Sequence, residues 1–164
     1  MAAPQASGVF LTAAEMALVD ELSELIIPAD EHSGGARAAG VAAYIDRRLA
    51  EYDPTIPELR EGQEKWRSGL QAVDALARQA TGKAFLEASA EERVALLGRL
   101  AEAEKDPKTP EQRFFVEVKE WTAFGYYTSE IGIHDELEYK GNTLLNEFAG
   151  VDVATLPPIK PAGD

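Results

Sequence analysis

Apolar residues recur every three or four positions along most of the chain, which is the spacing of an amphipathic helix. Five stretches show this pattern, and their residues are, in order, Leu18, Leu22, Leu25 and Ile26; Val41, Tyr44, Ile45 and Leu49; Leu59, Trp66, Leu70, Val73, Leu76, Ala77 and Ala80; Val94, Leu97, Leu100 and Ala101; and Phe114, Val118, Trp121 and Thr122. No stretch shows the alternation that is typical of a strand. The pattern therefore predicts an all-α protein, an irregular bundle of about five or six helices.

The predicted helices have recognisable ends. Capping boxes at residues 12–15, 89–92 and 109–112 place a serine or threonine three positions before a glutamate or glutamine, so each can satisfy free N–H groups at a helix start. The first of these boxes opens a helix predicted over residues 13–27. A proline opens the long third helix, and Gly82 follows that helix as its expected C-cap.

The two ends of the chain differ from the helical pattern. A last short helix is predicted around residues 144–148. The proline-rich residues 156–161 cannot be helical, so we predict an extended carboxyl-terminal tail. We expect a single domain over residues 1–164, with residues 1–11 and 152–164 extended or flexible.

The net charge of the chain argues against some classes of binding partner. With 29 acidic and 16 basic residues, the net charge is −13. Binding to nucleic acid or to an anionic membrane surface requires a basic excess, so we expect neither. The acidic charge most simply serves solubility, and alternatively it orients the protein toward a basic partner surface.

Several further features are missing from the sequence. It contains no cysteine, which excludes disulfides, iron–sulfur clusters and thiolate zinc sites on this chain. It also contains no apolar run long enough to span a bilayer. Residues 1–8 lack the basic and apolar regions of a signal peptide and look like the sequence just after a cleavage site. A mature chain with an added methionine is therefore our hypothesis.

The residues give little support to catalytic chemistry. The chain has two histidines, His32 in a turn-rich stretch and His134. On an unbroken helix His134 would share a face with Glu130 and Glu138 and could hold a metal, but an intervening glycine favours an ordinary polar cluster. Residues 35–40 have the glycine spacing of a phosphate-binding loop without its lysine, and no dinucleotide fingerprint occurs. We therefore expect no catalytic, cofactor-binding or metal-binding residues on this chain.

The most distinctive part of the sequence is residues 125–130, Gly-Tyr-Tyr-Thr-Ser-Glu, followed by residues 137–142, Leu-Glu-Tyr-Lys-Gly-Asn. The segment extends a helical pattern but cannot continue as one clean helix. Tyrosine suits both the rim of a core and a protein interface, so internal packing and partner contact are equal alternatives. The candidates for partner contact are Tyr126, Tyr127, Ser129, Glu130, Tyr139 and Asn142.

Several blocks of sequence occur in a specific order. Residues 25–30, Leu-Ile-Ile-Pro-Ala-Asp, precede residues 34–41, Gly-Gly-Ala-Arg-Ala-Ala-Gly-Val, and a later Gly-Leu pair lies in residues 69–85. Residues 114–119, Phe-Phe-Val-Glu-Val-Lys, then lead into residues 125–130. In this combination the chain resembles the gluconate 2-dehydrogenase subunit 3 family, the small accessory subunits of flavin-dependent sugar and sugar-acid dehydrogenases.

The resemblance implies a partner that performs the chemistry. That partner would be a catalytic subunit of the glucose–methanol–choline type, which carries FAD, oxidises a sugar, glycoside or sugar acid, and passes electrons to a cytochrome or another acceptor. The small subunit would carry no cofactor, stabilise the catalytic subunit and assist its export, which implies a periplasmic location. Many family members have a cysteine near the position of Val151, so the valine here implies a noncovalent interface.

Two other functions stay open from the sequence. One is a stand-alone helical interaction module without a dehydrogenase partner. The other, less favoured, is a metal-dependent helical enzyme that uses His134.

Overall fold

The computed structural model describes residues 7–141, and within this range the chain forms helices and no strand. The α-helices are α1 (Ala13–Ile26), α2 (Val41–Ala50), α3 (Pro57–Thr81), α4 (Ala90–Glu102) and α5 (Pro110–Tyr127). A 3₁₀ turn (Phe85–Glu87) precedes α4, and a π-helical turn (Gly132–Glu136) follows α5. The predicted all-α bundle is confirmed. The helix predicted around residues 144–148 and the proline-rich tail lie outside the described residues.

The helix ends are set by the residues that the pattern indicated. Thr12, Ser89 and Thr109 each accept a hydrogen bond from the N–H group three residues on, and each capping box is complete. Gly82 ends α3 with a φ of 76°, in the left-handed region that favours glycine. Helix α1 ends at Ile26, one residue before the predicted end. No helix in residues 7–141 is both long enough and apolar enough to cross a bilayer.

Helix α5 is the central element, because it packs against each of the other α-helices. Its Phe114 ring meets Trp66 of α3 edge-on, with the ring centroids 5.2 Å apart. Gly69 leaves room for this ring, since a Cβ there would lie 2.1 Å from a Phe114 ring carbon. The half-buried Trp121 ring lies 5.1 Å from that of Trp66. Both tryptophans therefore pack in the core, as their helical positions predict.

The buried face of α4 differs from the predicted one. The sequence pattern places Val94 and Ala101 on the apolar stripe, but both are exposed. Leu96 is buried instead, together with Leu97 and Leu100. Helix α4 packs against α3 as well as α5, and contact with two neighbours rotates its buried face away from Val94.

A buried aspartate on α2 anchors the amino-terminal segment. Asp46 is only 3% exposed, and its carboxylate accepts the N–H groups of Val9, Phe10 and Leu11 at 2.6, 2.9 and 2.7 Å. Arg67 of α3 also holds this segment, because its guanidinium lies 4.5 Å from the centroid of the Phe10 ring and donates to the Phe10 carbonyl. Charge-assisted hydrogen bonds thus attach residues 9–11 to the bundle.

We predict that Asp46→Ala lowers the free energy of unfolding by about 2–4 kcal/mol, because three N–H groups lose a charged acceptor inside the fold. Urea denaturation followed by circular dichroism measures the loss. Asp53→Ala is the matched control, because Asp53 is exposed and binds the backbone and hydroxyl of the nearby Thr55. The control is expected to lose much less stability. Equal losses for the two variants would contradict the anchoring role.

Candidate functional site at the end of helix α5

Helix α5 contains the first part of the tyrosine segment and then ends. Residues 125–127 form its last turn. Thr128 caps the helix, because its N–H and its hydroxyl donate to the Phe124 carbonyl at 3.1 and 2.7 Å. The chain then bends into the π-helical turn. The prediction that this segment cannot continue as one helix is confirmed.

Ser129 and Gly132 allow the chain to bend sharply here. The half-buried Ser129 hydroxyl donates to the Tyr126 carbonyl at 2.6 Å and accepts the Gly132 N–H at 3.0 Å. A Cβ on Gly132 would lie 2.0 Å from the Tyr126 carbonyl oxygen, far inside van der Waals contact. The close approach of these two backbone segments therefore requires glycine at position 132.

Tyr126 belongs to the core. Its side chain is 2% exposed, and its hydroxyl forms a hydrogen bond with the buried hydroxyl of Ser33, in the loop between α1 and α2. Buried hydroxyls need a hydrogen-bond partner, and this bond supplies one. It also joins the end of α5 to the loop. Internal packing, one of the two alternatives for the tyrosines, thus describes Tyr126.

The loop between α1 and α2, residues 27–40, is organised around Glu24. The Glu24 carboxylate accepts the N–H groups of Ala29 and Arg37 at 3.3 and 2.8 Å. The chain passes close to this carboxylate at Gly35, where a Cβ would lie 2.7 Å from a carboxylate oxygen and 2.4 Å from the Ala29 nitrogen. These contacts give the loop a defined conformation, and the loop holds Ser33 in position to form a hydrogen bond with Tyr126.

Charged groups reinforce the same loop. The Arg37 guanidinium binds Asp20 of α1 at 2.6 Å, and this hydrogen bond raises the pKa of Arg37 above its ordinary value. The Asp30 carboxylate accepts the N–H groups of Ser33 and His32, and these bonds, the one from Ser33 most strongly, lower the pKa of Asp30. A lowered carboxyl pKa stabilises the fold at neutral pH, and this contribution is lost as the pH falls through the pKa of the folded protein.

Aromatic side chains are exposed on the outward side of this end of the bundle. Phe124 is 61% exposed and Tyr127 is 43% exposed. The Phe124 ring stacks on Tyr44 of α2, with the centroids 6.1 Å apart. A groove of about 300 Å³ lies beside them, lined by Tyr44, Arg48, Glu120, Trp121 and Phe124. Exposed aromatic residues beside a groove are typical of a protein interface.

The structure places the predicted contact residues in different environments. Tyr126 is buried, Ser129 is half-buried, Tyr127, Glu130 and Tyr139 are exposed, and Asn142 lies outside the described residues. Sequence reasoning missed two further exposed apolar side chains, Phe124 and Leu137, of which Leu137 is 57% exposed. Exposed apolar residues therefore occur both before and after the tyrosine pair in the sequence.

Helical periodicity contains a signal that distinguishes the two neighbouring tyrosines. Phe114, Val118 and Thr122 lie on the buried face of α5 at intervals of four residues, and one more step of four reaches Tyr126. With the same helical period, Phe124 lies on the exposed side of α5. Continuing the apolar stripe by one turn would have assigned Tyr126 to the core.

The histidine and glutamates considered for a metal do not form a metal site. Within residues 7–141, no three histidine, aspartate or glutamate side chains form a group that could hold a metal ion. His134 lies in the π-helical turn and not on a regular helix that continues from Glu130 to Glu138. The four-residue spacing therefore does not align these side chains.

Comparison with known proteins places this arrangement in a family. The model of a family described as gluconate 2-dehydrogenase subunit 3 matches residues 13–143, which is most of the chain. The chain belongs to this family. By that description, it is a subunit of a multi-subunit dehydrogenase complex. No curated protein and no solved structure gives a significant match.

In this member of the gluconate 2-dehydrogenase subunit 3 family, the blocks around the loop between α1 and α2 are joined to the tyrosine block at the end of α5. Ser33 lies between residues 25–30 and residues 34–41, and it bonds Tyr126 of residues 125–130. These blocks therefore fix the end of α5 and determine which of its side chains face outward.

We predict that Gly132→Ala lowers the free energy of unfolding by about 2 kcal/mol or more, because the new Cβ collides with the Tyr126 carbonyl. Gly98 is the matched control, since it lies in α4 with no atom within 4 Å of a Cβ built on it. Gly98→Ala is expected to raise stability by about 0.5–1 kcal/mol. Urea denaturation measures both changes, and two changes of the same sign would contradict the prediction.

A double-mutant cycle tests the bond between Tyr126 and Ser33. Tyr126→Phe and Ser33→Ala are each expected to lower the free energy of unfolding by about 1–2 kcal/mol. Ser33→Ala leaves the buried Tyr126 hydroxyl without its partner, and Tyr126→Phe leaves the Ser33 hydroxyl only its bond to the Gly34 carbonyl. The double variant should lose little more than one single variant. Fully additive losses in urea denaturation would mean that the two hydroxyls act independently.

Proposed function

We propose that this chain is the non-catalytic small subunit of a flavin-dependent dehydrogenase complex. Family membership over residues 13–143 is the observation that carries the proposal. The exposed ring of Phe124, which lines a groove, and the exposed ring of Tyr127 support it. In this proposal the catalytic subunit is a flavoprotein of the glucose–methanol–choline type that binds FAD and oxidises a sugar, glycoside or sugar acid. It passes the electrons to a cytochrome or another acceptor.

In the same proposal the small subunit stabilises the catalytic subunit, assists its export, and works with it in the periplasm. A subunit that binds only the folded form of its partner shifts the folding equilibrium of that partner toward the native state. Because the chain has no cysteine, the two subunits associate without a disulfide. A noncovalent pair of this kind depends on buried apolar and aromatic anchors.

We predict that the tagged chain, purified from its native cells, brings with it a yellow protein with the absorbance spectrum of bound flavin and with sugar-oxidising activity. Deleting the gene for the chain is expected to lower the amount of that flavoprotein in the periplasmic fraction, because the partner loses its stabilising subunit. Re-expression of the chain from a plasmid is the control and should restore the flavoprotein. A lone, stable monomer would instead support the stand-alone interaction module.

A further inference from the structure

Large apolar side chains are exposed at several places on the bundle. Val94 borders a groove between α1, α4 and α5, and Leu86 borders a groove between α1, α3 and the 3₁₀ turn. Phe124 and Tyr127 lie one turn apart on the outward face of α5, and Leu137 follows at the end of the π-helical turn that packs against α5. We call Phe124, Tyr127 and Leu137 the aromatic strip.

The cations that line the first two grooves are already paired. Lys119, in the groove beside α4, binds Glu104 at 2.6 Å. Arg78, in the groove beside α3, binds Asp74 of its own helix at 3.1 Å. The other two acidic side chains in the groove beside α3, Glu15 and Glu87, accept the N–H groups of Thr12 and Ala84. The charged side chains of these two grooves are therefore engaged within the chain.

The aromatic strip has a different electrostatic environment. The acidic side chains in residues 128–141 are Glu130, Asp135, Glu136 and Glu138. The same residues contain one lysine, which leaves a net charge of −3 from four acids and one base. All four carboxylates are exposed, and none forms an ion pair within the part of the chain that the structure describes. The segment that follows Tyr127 and contains Leu137 therefore carries uncompensated negative charge.

We propose that the aromatic strip docks into an apolar recess of the catalytic subunit, and that arginine or lysine side chains surround this recess. The inference rests on the proposed function, which supplies the partner. Aromatic anchors at the centre of an interface carry most of its binding free energy, while charges at the rim speed association and align the two surfaces. A basic rim would neutralise the carboxylates of residues 128–141 as Phe124 and Tyr127 become buried.

The first test measures the affinity of purified variants for the purified flavoprotein. Phe124→Ser is expected to weaken binding by about 30-fold or more, as loss of a central anchor does. Val94→Ser is the matched control, because Val94 is 58% exposed on α4 and lies away from the strip. The control should bind like the unaltered protein. Equal affinity of Phe124→Ser and the control overturns the docking site.

The second test measures association rates and concerns the basic rim, the arginine or lysine side chains that surround the recess in the catalytic subunit. Replacing Asp135 and Glu136 together by lysine is expected to slow association about 10-fold at low ionic strength, and the difference should shrink at high salt because exposed charges are screened. As the control, replacing Glu91 and Glu102 together by lysine, at exposed sites of α4, changes the net charge by the same amount and should leave the rate nearly unchanged. Faster association of the first double variant, or an equal effect of the control, overturns the basic rim.

These tests separate failure of the docking site from failure of the proposed function. If the unaltered protein does not bind the flavoprotein, the proposed function fails. If it binds and Phe124→Ser retains the same affinity, only the docking site fails. A second variant, Tyr127→Ser, should then retain that affinity as well. Circular dichroism and unfolding midpoints establish that every variant is folded.

Two other occupants of the strip would be recognised in the same experiments. A homodimer of the free chain that Phe124→Ser dissociates would assign the strip to a second copy. A large loss of stability in Phe124→Ser that disappears when residues 142–164 are removed would assign it to the carboxyl-terminal segment of the chain itself. Either result overturns the proposal.

Discussion

The hydrogen bond between Tyr126 and Ser33 fixes the geometry on which the rest of the site depends. Both hydroxyls are buried and bond each other, which holds the end of α5 against the loop between α1 and α2. Successive residues of a helix are about 100° apart, so burying Tyr126 turns Phe124 to the far side of α5 and Tyr127 to its flank. This buried hydrogen bond therefore determines which side chains of α5 are exposed.

Most of the fold could be predicted from local patterns, because local interactions determine it. Capping boxes, a proline at a helix start and Gly82 after a helix end each act within a few residues, and the structure has these features where the sequence indicates them. The buried face of α4 was predicted less well, since contact with two neighbours decides it. The helical pattern does not show the anchoring role of Asp46, because its partners are N–H groups more than thirty residues away.

The candidate site could be predicted only in part, because its exposed residues also depend on contacts between distant parts of the chain. The tyrosine segment stands out by composition, but composition does not tell which of two adjacent tyrosines faces inward. That choice follows from the stripe of Phe114, Val118 and Thr122, which reaches Tyr126. Exposure of Leu137 depends on the π-helical turn, and that turn depends on a backbone contact at Gly132 that no periodicity reveals.

The residues at the end of α5 divide into buried ones that hold the helix end in place and exposed ones that, in the proposed function, contact the dehydrogenase. Hydrogen exchange of the chain, alone and bound to its flavoprotein, tests this division most directly. We expect new protection in residues 124–139 on binding and unchanged exchange in α4. Protection centred on α4, or no change in residues 124–139, would contradict the account.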